Sequence, residues 1–191
     1  MIRTFIALDI PPVAKTAIEE LIGELRGADA AVSWVRPESI HLTLKFLGNV
    51  ETERIAEIST AMEAAAAPVP AFRLQPSACG AFPSIQQARI VWAGLRGDDE
   101  PLKLLQKRVE EALAPLGFEP EGRPFKPHLT IGRVKGRRGL RSLQEILLAR
   151  RTFETEVFDV TEIILYKSEL RPDGARYTPL FRAPLAGRSG T

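Results

Sequence analysis

The sequence predicts an α+β fold built on antiparallel sheets. Three observations carry this expectation. Strands come in adjacent groups between helices, in the order β-α-β-β-α-β-β-α-β-α-β-β-β. Apolar stripes at helical spacing recur four times. The 191 residues, 45% of them apolar, suffice for one compact domain or two small lobes sharing an interface.

Ile2 to Asp9 reads as a strand, and Pro11-Pro12 supply a helix start before the stripe Val13, Ile18, Leu21, Ile22 and Leu25. A short strand at Ser33 to Val35 and a second from Ile40 to Leu47 follow, with Gly48 ending the second. The next helix runs from Glu53 to Ala66, with Thr52 as N-cap and Ile55, Ile58, Met62 and Ala65 facing inward. Phe72 to Ser77 and Ala88 to Leu95 read as strands joined through a turn-rich stretch at Gly80 to Ser84. Leu102, Leu105, Val109, Leu113 and Leu116 then mark a third helix closed by Gly117. His128 to Val134 is a strand, and Ser142 with Glu145 has the spacing of a capping box that opens a fourth helix. Strands near Thr155 to Val160, Ile163 to Glu169 and Tyr177 to Ala183 close the chain.

Composition narrows the function classes. The apolar opening is broken by Arg3 and Asp9, and no run approaches the ~20 residues of a membrane span, so a cytoplasmic protein without a membrane partner is expected. The single cysteine, Cys79, cannot form an internal disulfide or a thiolate metal cluster, and it reads as a small buried residue. Net charge is only +2, yet Gly122 to Gln144 carries Arg123, Lys126, Arg133, Lys135, Arg137, Arg138 and Arg141 without one acid. A solvated loop would account for such a run. An anion footprint becomes the better reading because His128 lies inside it.

The chain has two histidines, in Ile40-His41-Leu42-Thr43-Leu44 and Pro127-His128-Leu129-Thr130-Ile131. Chance would place a threonine two residues after both in roughly 0.3% of cases. Side chains alternate along a strand, so each imidazole and its threonine hydroxyl project together while the leucines anchor the opposite face. Two histidines without cysteine or an evident carboxylate fall short of a zinc set, and neither metal nor cofactor is expected. Two imidazoles flanking one centre suit phosphodiester cleavage, one as base and one as acid, with Thr43 and Thr130 donating to the phosphate oxygens. Arg133 and Lys126 are candidate phosphate ligands. By strict alternation Arg133 points away from His128, which leaves phosphate binding and surface charge equally open. Phe46, Phe82 and Phe125 are candidate platforms for a base, or core residues.

The two motifs resemble the 2H phosphoesterase superfamily, and within it the RNA 2′,3′-cyclic phosphodiesterases once called 2′-5′ RNA ligases. Also similar are Arg3-Thr4-Phe5-Ile6-Ala7-Leu8, Trp34-Val35 with His41 through Gly48, Phe125 through Arg133, Leu165 through Leu170, and Tyr177. The resemblance implies a two-lobed fold with pseudo-twofold symmetry, helices on the outer faces and a central cleft. It implies one bilobal domain over residues 1–185, and residues 186–191 are expected to form a flexible tail. It also implies hydrolysis of a terminal 2′,3′-cyclic phosphate on RNA, tRNA fragments among the substrates, to a 2′-phosphomonoester by a monomeric enzyme. His41 looks like the proton donor and His128 like the acceptor. With an RNA 5′-hydroxyl in place of water, the same apparatus would act as a 2′-5′ ligase. The rival readings are a non-catalytic RNA-binding module and a phosphodiesterase for 2′-5′-linked oligonucleotides.

Overall fold

The computed structural model describes residues 1–172 and 174–187. Its elements follow the predicted order: β1 (Ile2–Asp9), α1 (Pro12–Arg26), β2 (Val32–Trp34), β3 (His41–Val50), α2 (Ile55–Ala66), β4 (Phe72–Phe82), β5 (Ile90–Gly97), α3 (Asp99–Leu113), β6 (His128–Val134), α4 (Leu140–Ala149), β7 (Phe158–Val160), β8 (Glu162–Arg171) and β9 (Gly174–Pro184). The strands join in one curled sheet of order β7-β4-β5-β6-β3-β1-β8-β9, with β2 added beside β6. All strand pairs among them are antiparallel. Four strands thus flank each side of the β3–β6 seam, which consists of one pair, Leu42 opposite Leu129. Beyond that pair the strands part, and β6 turns to β2.

One face of the sheet carries the main core, where Ile6, Leu8, Leu42, Leu129, Val91 and Ala93 meet Ile18, Leu21, Met62, Leu105 and Leu143 from the helices. The other face carries a smaller buried cluster of Phe5, Ala7, Ile164 and Tyr166, with Tyr177 against it. Alternation along β1 separates the two sets, since Ile6 and Leu8 go one way and Phe5 and Ala7 the other. Among the described residues no helix is long and apolar enough to cross a membrane.

Several local expectations are corrected. Val13 is exposed, and Ala14 takes its inward place on α1. Neither Thr52 nor Ser142 caps a helix: a 3₁₀ turn at Thr52–Arg54 precedes α2, and α4 starts earlier, after left-handed Gly139, which leaves Ser142 inside it. Gly80 to Phe82 is strand, because the glycine makes room for a ring: a Cβ there would lie 2.5 Å from the Trp92 indole. Ala186 is held by a parallel bridge to Pro70, so it does not begin a tail; residues 188–191 lie outside the described residues.

Candidate active site

The antiparallel register set by Leu42 and Leu129 determines which side chains meet. It brings His41 opposite Thr130 and Thr43 opposite His128, all on the face away from the helices. Diagonal neighbours in such a pair stand roughly 7–8 Å apart, somewhat less at Cβ, a gap that a phosphate can bridge. All four side chains are partly exposed.

The two histidines are held alike. Nδ1 of His41 lies 2.8 Å from the Ser39 carbonyl, and Nδ1 of His128 lies 2.7 Å from the Lys126 carbonyl. A carbonyl oxygen only accepts, so Nδ1 carries the hydrogen in both rings and Nε2 is the nitrogen left for chemistry. Each imidazole also meets one aromatic edge-on at 5.0 Å and 89°, His41 against Tyr177 and His128 against Phe82. Phe82 therefore orients a histidine, which leaves its ring less suited to stacking a base.

Burial governs the electrostatics around His41. His41 packs on Phe5 at 4.7 Å, and burial pulls its pKa below the ordinary 6.5, opposed by the Ser39 hydrogen bond and the Asp9 carboxylate. Burial also raises the Tyr166 phenol to about 12 and pushes up that of Tyr177, which the Arg133 and Arg3 guanidiniums oppose.

Arg133 reaches this face because β6 is bulged. Its pairing with β5 slips between Val91 and Trp92, so Ile131 is the extra residue and the alternation reverses beyond it. β3 slips at the matching point, with Leu44 extra, and Lys45 turns inward while Phe46 turns to the histidine face. The burial patterns of His41–Phe46 and His128–Arg133 coincide residue for residue. Phe46, 66% exposed and 6.0 Å from the Phe5 ring, is the candidate platform that best fits a base. Phe125 packs against the main core, and Lys126 is an exposed side chain whose backbone holds His128.

The predicted basic footprint is partly spent on surface acids. Arg123 stands 4.0 Å from Glu121, Arg138 3.6 Å from Asp29 and Arg141 3.2 Å from Glu145. Phe5, Tyr166 and Tyr177, which lie in segments similar to the family but are not among the expected site residues, form the wall around His41. Phe5 shares its strand face with Asp9, the residue paired with His41, so the pattern Phe5-Ala7-Asp9 was the available signal. Cys79 is buried as expected, its thiol aimed at the Leu147 and Arg150 carbonyls and its pKa pushed to about 11 by burial. No group of three or more metal-binding side chains gathers among the described residues.

This fold, with paired His-Leu-Thr strands meeting at a pseudo-twofold seam, defines a 2H phosphoesterase. Residues 12–172 match the 2′-5′ RNA ligase superfamily, and the chain belongs to that family. It is similar to the RNA 2′,3′-cyclic phosphodiesterase of Methanothermobacter thermautotrophicus, 33% identical over 179 residues that cover 94% of this chain and 96% of the relative. The Escherichia coli K12 protein of the same name is 31% identical, with 94% of each chain covered. The crystal structure of apo E. coli LigT superposes with a TM-score of 0.77 at 28% identity, covering 97% of this chain and 98% of that one. LigT complexed with 3′-AMP gives 0.74 at 28% identity, with 96% and 98% covered.

Proposed function

We propose that the protein hydrolyses the 2′,3′-cyclic phosphate at an RNA 3′ end to a 2′-phosphomonoester. The observation that carries this reading is the Leu42–Leu129 register, which gathers two imidazoles with outward Nε2 atoms and two hydroxyls on one face. The names of the relatives support the substrate class.

Neutral His128 takes a proton from water through Nε2, and the water oxygen bonds to phosphorus. The bond from phosphorus to O3′ breaks, and the protonated Nε2 of His41 gives its proton to O3′. Thr43 and Thr130 donate hydrogen bonds to the non-bridging oxygens, where charge grows in the transition state. Arg133 adds a cation on the same face, and Phe46 offers a ring to the base. Burial disfavours the imidazolium of His41, and an adjacent anionic phosphate favours it, so bound substrate supports the protonated acid. An RNA 5′-hydroxyl in the place of water would yield a 2′-5′ linkage by the same transfers.

The test is purified protein with RNA ending in a 2′,3′-cyclic phosphate, in EDTA, with the product phosphate located. The expected product is the 2′-phosphate, formed undiminished by chelation. A 3′-phosphate, or loss of activity in EDTA with recovery on adding zinc or magnesium, would contradict the reading.

A further inference from the structure

We infer that an arginine-lined cavity beside His41, formed by Arg36, Arg171 and Arg176 with Ser39 and Tyr177, binds the phosphodiester on the 5′ side of the cyclic-phosphate nucleotide. The inference rests on the donor and acceptor roles proposed above and deepens them. In an in-line displacement the entering and departing oxygens stand at opposite ends of phosphorus. With water activated at His128 and O3′ protonated at His41, the terminal ribose, which carries O3′, lies on the His41 side. The chain leaves that ribose through O5′, so the first RNA phosphodiester falls on the same side, away from the basic stretch that follows His128.

The cavity on that side fits such a group. Its volume is about 330 Å³, within the range of small-ligand sites, and it opens between the segment before β3 and the β8–β9 hairpin. Two of its lining residues touch the catalytic imidazole directly: the Ser39 carbonyl accepts from Nδ1, and the Tyr177 ring stands 5.0 Å away, edge-on. Three lining residues are arginines and one, Glu38, is an acid among the described residues. Arg171 stands 3.8 Å from Oε2 of Glu169, whose Oε1 meets Lys167 at 3.1 Å, and the carboxylate is held below its ordinary pKa first by Lys167 and further by Arg171 and Arg176. The cavity on the other side of Tyr177, about 200 Å³, is lined by His41 itself; there Asp9 pairs with Lys15 at 2.8 Å, Arg182 pairs with Glu162, and Glu38 lines both cavities. Three arginines therefore line the cavity on the side to which the reaction geometry brings the next phosphate. Guanidinium groups also suit it chemically, since each can meet a phosphate with two hydrogen bonds.

The test compares Arg171→Ala/Arg176→Ala with Arg137→Ala/Arg138→Ala/Arg141→Ala on two substrates, a dinucleotide ending in a 2′,3′-cyclic phosphate and a 2′,3′-cyclic mononucleotide with a free 5′-hydroxyl. The hairpin pair is expected to lower kcat/KM for the dinucleotide about tenfold, mainly through KM, with less than about a twofold change for the mononucleotide. Its salt dependence on the dinucleotide should flatten by roughly 0.7 in log–log slope, the share of one phosphate contact on a single strand. Arg171→Lys/Arg176→Lys should restore much of the dinucleotide preference, which a folding defect would not permit. The triple variant should show no loss selective for the dinucleotide. Equal losses on both substrates, no loss on either, or a dinucleotide-selective loss in the triple variant would overturn the assignment while the hydrolase reading stands. A wild type that turns over neither substrate would overturn both.

Discussion

Lys45 provides a stability prediction that reaches into the site. It lies beyond the β3 bulge, 5% exposed, and its ammonium meets the Glu110 carboxylate on α3, itself 9% exposed. The Glu119 carbonyl accepts from the same ammonium at 2.8 Å, while Gln106 Nε2 and the Glu121 amide donate to Glu110 at 3.1 and 3.3 Å. The pair thus ties the His41 strand to α3 and to the segment leading to His128. Removing one partner strands the other charge in the core, so Lys45→Met or Glu110→Leu should each cost about 3–5 kcal/mol. For a chain of this size that lowers Tm by roughly 6–20 °C. Lys45→Met/Glu110→Leu exchanges both charges for apolar volume and should fall within about 1–2 kcal/mol of wild type. Urea unfolding of the four proteins gives the coupling energy, with turnover measured well below each Tm. Single variants within about 1 kcal/mol of wild type, or a double variant as costly as the two singles combined, would refute the buried-charge argument.

Other consequences follow from neighbouring contacts. Gly80→Ala brings a Cβ against the Trp92 indole, whose ring lies 5.4 Å from Phe82, the aromatic edge that steadies His128. It should cost about 1–3 kcal/mol in urea unfolding and lower kcat, whereas wild-type values for both would contradict the contact chain. Burial holds the His41 pKa below 6.5 in the folded chain, so the unfolded chain takes up that proton first as pH falls, and stability drops below pH 6.5. Replacing His41 with Asn should reduce the loss of urea midpoint between pH 7 and pH 5, and an unchanged loss would show that His41 contributes none of it. Cys79 should stay inert to a thiol reagent until the protein unfolds, given its raised pKa and buried position; rapid modification of the native protein would contradict that burial.

Much of this was legible in the sequence. The order of strands and helices follows from periodicity, and the two His-Leu-Thr strands mark the site because strand alternation alone puts each histidine with its threonine. What alternation could not supply was the matched bulges. Strict period two would send Lys45 outward with His41 and Arg133 inward against His128, and the structure reverses both. The inward series Leu42, Leu44, Leu47, which breaks period two, was the sign of the first bulge. Caps failed for a different reason: Thr52 and Ser142 have the chemistry of N-caps, but the helices begin where packing and the preceding turns dictate. The aromatic wall around His41 depends on strands far apart in the chain, since Phe5, Tyr166 and Tyr177 meet only through the β1–β8–β9 pairing.

The central claim is that the two imidazoles hold opposite protonation states when substrate reacts, and the pH dependence of kcat/KM tests it most directly. Wild type should give a bell whose limbs belong to the coupled pair. His128→Ala and His41→Ala should each lower turnover by at least ~10². The residual activity of His128→Ala should lack the acidic limb and fall as pH rises through the depressed His41 pKa, below 6.5. That of His41→Ala should lack the basic limb and rise with pH. Near-wild-type turnover in either variant, or the two limbs lost in the opposite assignment, would contradict the account.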